Sequence, residues 1–151
     1  MSARTTGQVR VVGTGLLGTS IGLGLSSLAV DVVLDDVSPS TLALAVDYGA
    51  GRRTEASDTP ALVVVAVPPD VVAGVVAAEL ARYPEALVTD VASVKAGPLA
   101  DLEAAGAPTD RYLGSHPMAG RERSGPIAGR ADLFLGRPWV CLLYTSPSPR
   151  D

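Results

Sequence analysis

Two sets of residues have the types and spacing to do chemistry. His116 is the single histidine, set in Gly114-Ser-His-Pro-Met-Ala-Gly, and Gly13, Gly15 and Gly18 stand at the spacing G-x-G-x-x-G. An imidazole titrates near neutrality, which makes it a natural proton acceptor. The plainer use of the same residue is a turn histidine satisfied by backbone. In the glycine pattern the first residue permits a tight turn, the second lets backbone approach a pyrophosphate, and the third lets a helix pack close to a strand. The helix that follows offers free N–H groups and a partial positive charge to phosphates. Asp36 lies 18 residues after Gly18, where such a turn expects an acid for the adenosine ribose. A carboxylate there accepts hydrogen bonds from both ribose hydroxyls and repels a 2′-phosphate. No arginine follows it directly, so NAD is favoured over NADP, although Arg52 and Arg53 stand further on.

Ser93, in Asp90-Val-Ala-Ser-Val-Lys, reads either as a helix-cap serine or as a hydroxyl that fixes the tautomer of His116. Lys95 reads as a structural partner of Asp90 or Asp101 more readily than as a ligand for a substrate carboxylate. One histidine and one cysteine, Cys141, make no metal site, and no metal is expected.

These residues need elements to hold them. Val9, Val11 and Val12 make an apolar, β-branched run entering the glycine turn, and Leu16–Leu28 is compatible with a helix. Asp31-Val-Val-Leu-Asp-Asp reads as a second buried strand, and Pro39–Tyr48 as a helix started at Ser38-Pro39-Ser40 and stopped by Gly49. Leu62–Val67 is an unbroken run of the kind buried on both faces of a parallel sheet. A helix from Asp70 to Arg82, a strand over Leu87–Asp90, a helix from about Gly97 to Ala105 and a short strand around Tyr112-Leu113 complete the alternation. Strands alternating with helices predict an α/β fold, a doubly wound and mostly parallel sheet of Rossmann type. Ligands of such sheets lie beyond the carboxyl ends of the strands. That rule selects the loops Gly13–Gly18, Val67–Asp70, Asp90–Lys95 and Ser115–Gly120. The expected cofactor contacts are Gly13, Gly15, Leu16, Leu17, Gly18, Asp36, Val67 and Pro68.

Composition narrows the function classes. The 151 residues are 47% hydrophobic and 19% charged with a net charge of -4, which suits one folded domain and offers no basic stripe for nucleic acid. Val11–Val30 carries no charge and is long enough to span a bilayer, but half of it is Gly, Ser or Thr. No membrane partner is therefore expected. A single cysteine excludes a disulfide framework and suits a reducing, cytoplasmic setting.

The loop Gly114-Ser-His-Pro-Met-Ala-Gly-Arg-Glu-Arg-Ser-Gly resembles the signature loop of prephenate dehydrogenases, the tyrosine-pathway family that includes arogenate dehydrogenases. The similarity extends over Val9–Val140, through Gly13-Thr-Gly-Leu-Leu-Gly-Thr-Ser, Asp90-Val-Ala-Ser-Val-Lys and Leu133-Phe-Leu-Gly-Arg-Pro-Trp-Val. The glycine turn is generic; the His-Pro-Met-Ala-Gly loop together with Asp-Val-x-Ser-Val-Lys is specific. The resemblance implies an NAD-dependent oxidative decarboxylation of prephenate or arogenate. His116 would draw the hydroxyl proton, Ser93 would lie beside it, and Ser115, Met118 and Gly120 would stand on the substrate side. It also implies a homodimer formed through a C-terminal helical domain, absent here, whose arginines hold the substrate carboxylates. The alternatives are another NAD(P)-dependent dehydrogenase of a small acid and, from a different class, a non-catalytic NAD-binding module.

The chain departs from the family after Trp139-Val140. Cys141–Asp151 matches one reading frame of a transposase-type sequencing adapter over all eleven residues. The expected organisation is thus a nucleotide-binding domain over 1–140 and a non-native tail over 141–151, with the fragment itself binding NAD weakly and turning over negligibly.

Overall fold

The computed structural model describes residues 7–92, 96–118, 125–137 and 139–142. Among these residues, seven strands form one sheet: β1 (Val9–Val12), β2 (Val32–Asp35), β3 (Arg52–Arg53), β4 (Leu62–Val65), β5 (Leu87–Asp90), β6 (Tyr112–Pro117) and β7 (Trp139–Leu142). Their spatial order is β3-β2-β1-β4-β5-β6-β7, with every pair parallel except β6–β7. Four helices accompany them: α1 (Leu16–Ser27), α2 (Pro39–Asp47), α3 (Val72–Arg82) and α4 (Ala96–Ala104). This is the expected doubly wound, mostly parallel sheet. The order reverses between β1 and β4, which opens a crevice at the carboxyl ends of the central strands.

Alternation along the central strands divides the core into two layers. Val9 and Val11 of β1 and Val64 of β4 pack with Ile21, Val32, Leu34 and Leu42. Val63 and Val65 of β4 pack on the other face with Val72, Val76, Leu80, Val88 and Tyr112. The charge-free run Val11–Val30 is used as the end of a strand, a glycine turn and a helix of 12 residues. No helix among the described residues is long and apolar enough to cross a membrane.

Local chemistry sets the element ends. Ser38 caps α2 by accepting the Thr41 N–H at 3.3 Å, Pro39 fills the first turn, and Gly49 leaves the helix at φ +90°. α1 ends less comfortably, because Ala29 takes φ +62° in the left-handed region.

Three elements differ from the sequence expectation. β3 was not expected, since two exposed arginines carry no apolar pattern; they pair with Val33 and Leu34 at the sheet edge, where charge blunts further pairing. Asp70 lies in a 3-10 turn over Pro69–Val71, and α3 begins only at Val72. β6 is longer than the short strand expected, so His116 lies within it and not just after it. β6 pairs with β5 only as far as Gly114, then continues against β7, whose antiparallel partner for His116 is Val140. β7 crosses position 140, pairing Cys141 with Ser115 and Leu142 with Gly114.

Candidate active site

The crevice is a cavity of about 850 Å³ lined at its floor by Gly13, Thr14, Gly15, Leu16 and Leu17. Asp36 and Val37 form one end, Val67 and Pro68 one wall, and Val91, Ala92 and His116 the other end. Five strand ends thus bring Gly13, Gly15, Leu16, Leu17, Asp36, Val67, Pro68 and His116 to one cleft.

The three glycines differ in what a side chain would meet. A Cβ on Gly13 would lie 2.3 Å from the Ala66 carbonyl oxygen, at a backbone φ of +98°. A Cβ on Gly18 would lie 1.8 Å from the Gly13 carbonyl oxygen and 3.3 Å from Val11. A Cβ on Gly15 would meet nothing within 4 Å. The first glycine is therefore needed for the turn and the third for seating α1 on β1. The second presents bare backbone to the cavity. Gly15 is also the N-cap of α1, with no side-chain cap and no acidic residue in the first turn. The Thr19 N–H is the first to bond back, to the Gly15 carbonyl at 3.1 Å. The amides of Leu16, Leu17 and Gly18 thus lack intrahelical acceptors, and their partial positive charge faces the space beside Gly15. This donor set fits a pyrophosphate.

Asp36 is held in place by its neighbours. Its Oδ2 accepts the Thr14 N–H at 2.7 Å and the Thr14 hydroxyl at 2.8 Å, and its Oδ1 accepts the Ser38 N–H at 2.8 Å. A carboxylate has about four lone-pair sites, so roughly one remains, on Oδ1, for a ligand. The expectation of two ribose hydroxyls narrows accordingly to one. Thr14, fully buried, was not singled out in the sequence; its place between the first two glycines was the available signal.

His116 projects from β6 towards this cleft, and its buried Nδ1 has no hydrogen-bond partner among the described residues. Ser115 does not share that position. Alternation along β6 turns it to the opposite face, where it lines a separate apolar hollow with Leu25, Val88 and Trp139. Its hydroxyl donates to the Asp90 carbonyl at 2.8 Å and accepts from Thr89 at 3.0 Å. Contrary to the expectation that groups it with His116, Ser115 does not line the cleft and belongs to the β5–β6 seam. Met118 is 50% exposed at the end of β6 and is not among the cavity's lining residues. Ser93, Lys95 and Gly120 lie outside the described residues. Gly18 supports the cleft from below without lining it.

Beneath the Asp36 end lies a charge that sequence reasoning passed over. Arg10, 1% exposed in β1, binds Glu79 of α3 through Nε and Nη2 at 2.9 Å each. Its Nη2 also donates to Asp35 at 3.0 Å, and Nη1 to the Thr54 hydroxyl at 2.7 Å. Burial opposes the Arg10 charge, but the bonds to Glu79 and Asp35 outweigh it, so its pKa is raised.

The sequence profile of a family described as "Prephenate dehydrogenase, nucleotide-binding domain" matches residues 23–145. The "Probable prephenate dehydrogenase NovF" of Streptomyces niveus is 46% identical over 130 residues, covering 86% of this chain and 36% of that protein. A "Cyclohexadienyl dehydrogenase" of Zymomonas mobilis is 30% identical over 142 residues, covering 88% of this chain and 48% of its own length. The crystal structure of a prephenate dehydrogenase from A. aeolicus, in complex with hydroxyphenyl propionate and NAD+, superposes with a TM-score of 0.82. That match covers 99% of this chain and 55% of the other at 24% identity, a likeness of fold. The chain thus spans between about a third and a half of the length of the curated relatives it matches.

Proposed function

Since this chain belongs to the prephenate dehydrogenase family, as its nucleotide-binding domain, we propose that its cleft binds NAD and that the whole protein oxidatively decarboxylates prephenate. The observation that carries the reading is that the glycine cradle, Asp36 and His116 line one cavity. The amides of the first turn of α1 would hold the pyrophosphate, Gly15 would let it approach, and Oδ1 of Asp36 would take one adenosine ribose hydroxyl. The NAD+ bound to the A. aeolicus relative supports this choice of cofactor. NAD, when bound, supplies the acceptor for the hydride on the ring carbon that bears the substrate's hydroxyl.

The chain's own residues handle the proton. Nδ1 of His116 is shut off from solvent, so the ring nitrogen proposed to take the hydroxyl proton is Nε2. Ser93, which stands between β5 and α4 in sequence, is proposed to serve Nδ1 and hold the tautomer. Loss of hydride and proton leaves a ketone. The ring carboxylate then departs as carbon dioxide, its electron pair flows through the ring onto the ketone oxygen, that oxygen takes back the proton held by His116, and aromatisation drives the step, giving 4-hydroxyphenylpyruvate. Met118 and Gly120 are proposed for the substrate side. Arogenate would follow the same course to tyrosine. The whole protein is further proposed to be a cytoplasmic homodimer, as the family resemblance supports.

Calorimetric titration of this chain with NAD+ tests the cofactor, and NADH formation from prephenate by the whole protein tests the reaction. Binding without turnover on either prephenate or arogenate would favour a non-catalytic NAD-binding module. Residues 141–151 are proposed to derive from an adapter. A native gene that continues differently after codon 140 supports this, and the same eleven codons in genomic DNA refute it.

A further inference from the structure

We propose that Arg10 and Asp35 are a positioning pair: together they hold Asp36 in the orientation that reads the 2′-hydroxyl of the adenosine ribose. The inference rests on the reading of the cleft as an NAD site. Arg10 and Glu79 already form a closed two-bond pair, and that pair alone satisfies the charges each buries. The third partner is what calls for an explanation. The Asp35 side chain is 45% exposed and water would solvate it without cost to the core, yet its Oδ2 turns inward to Nη2 of Arg10. That leaves Oδ1 to accept the Asp36 N–H at 2.9 Å, while the Asp35 carbonyl accepts the Gly13 N–H at 2.9 Å. Asp35 thus ties the end of β2 to the glycine turn and fixes the backbone from which the Asp36 carboxylate projects.

Orientation matters here because Asp36 has little capacity to spare. With Thr14 and Ser38 on three of about four acceptor sites, a ribose hydroxyl must meet the one that remains. The bonds from Thr14 and Ser38 hold the carboxylate to its neighbours, but a strand end that shifts without Asp35 carries the remaining site out of line with the ribose and discriminates poorly. Asp35 does not line the cavity, so it acts only through Asp36. A buried ionic cluster in this role specifies geometry more than it adds stability.

The test measures binding of NAD+ and of its adenosine 2′-deoxy analogue to the 151-residue chain and its variants. A hydrogen bond to a charged acceptor gives the unaltered chain a preference of about tenfold for NAD+. Asp35→Ala should reduce that preference to about twofold, mostly by weakening NAD+. Asp35→Asn, of the same size, offers one acceptor to two donors and should change the preference in the same direction. Arg10→Lys keeps the charge against Glu79 but cannot span to Asp35, and should do likewise; if that chain does not fold, the Asp35 variants decide. A merely structural role would weaken both ligands equally, so an undiminished preference in Asp35→Ala overturns the inference. An unaltered chain that binds NAD+ with no 2′-hydroxyl preference also overturns it. Failure of the unaltered chain to bind NAD+ at all overturns the cofactor reading beneath it.

Discussion

Alanine at each of the three glycines separates a residue that shapes the cleft from one that faces its ligand. Gly13→Ala would force an L-residue into φ +98° and place its Cβ 2.3 Å from the Ala66 carbonyl oxygen. The backbone strain costs about 1–2 kcal/mol and the overpacking a further 1–3 kcal/mol or so. Gly18→Ala escapes the first cost but not the second, since 1.8 Å from the Gly13 carbonyl oxygen is a contact only backbone movement can relieve. For a chain of this size, about 1 kcal/mol corresponds to roughly 2–4 °C in Tm. Gly13→Ala should therefore lower Tm by about 5–15 °C and Gly18→Ala by about 3–10 °C. Gly15→Ala meets open space and loses only the small preference of glycine over alanine at an N-cap, about 0.5 kcal/mol. Its methyl group would occupy the space in which the pyrophosphate must approach the backbone, so NAD+ binding should weaken by at least about tenfold. Differential scanning fluorimetry and calorimetric titration on the same three proteins give both quantities. A Gly15→Ala chain as destabilised as Gly13→Ala, or one that binds NAD+ undiminished, refutes the reasoning.

Three other outcomes follow from particular residues. His116→Asn in the whole protein should lower kcat by about 10²–10⁴-fold and leave the Kd for NAD+ within about twofold, because the proton acceptor is lost and the cradle is not; retained turnover would remove His116 from the reaction. Ala29→Gly should raise stability by about 0.5–1 kcal/mol, since only the left-handed strain at φ +62° is relieved; a fall in Tm would contradict that. The Arg52 guanidinium, with the Glu55 N–H and Gln8, holds the Asp58 carboxyl well below its ordinary 3.8. A carboxyl lowered in the folded state favours folding above its unfolded value and loses that contribution as pH falls through and below about 4. Asp58→Asn should accordingly show a smaller drop in Tm between neutral and acid pH, and an unchanged drop would dismiss the pairing.

The legible part of the fold was the part encoded by runs. Val9, Val11 and Val12 of β1, like Val32–Leu34 and Leu62–Val65, are apolar because these strands are buried on both faces, and that burial is visible as composition. β3 escaped because Arg52 and Arg53 are strand only through pairing with β2, a tertiary fact with no local pattern. The extension of β6 escaped for a related reason. Gly114 and Pro117 argue locally for a loop, yet β7 supplies partners that β5 does not. Within the site, the glycine spacing and Asp36 could be read because each has a fixed separation along the chain. Ser115 was misplaced because a loop carries no face, whereas a strand alternates and sends Ser115 and His116 to opposite sides. Thr14 is marked only by its place between two glycines of the motif, and Arg10 by no motif at all. Their roles come from Asp36, Asp35 and Glu79, which lie 22, 25 and 69 residues away in sequence.

The most direct test of the proposed reaction is to follow NADH and carbon dioxide together when the whole protein is given NAD+ and prephenate. Oxidative decarboxylation predicts both, formed mole for mole, with 4-hydroxyphenylpyruvate as the product and both formed about 10²–10⁴-fold more slowly by His116→Asn. NADH without carbon dioxide, or neither from prephenate and arogenate alike, would contradict it.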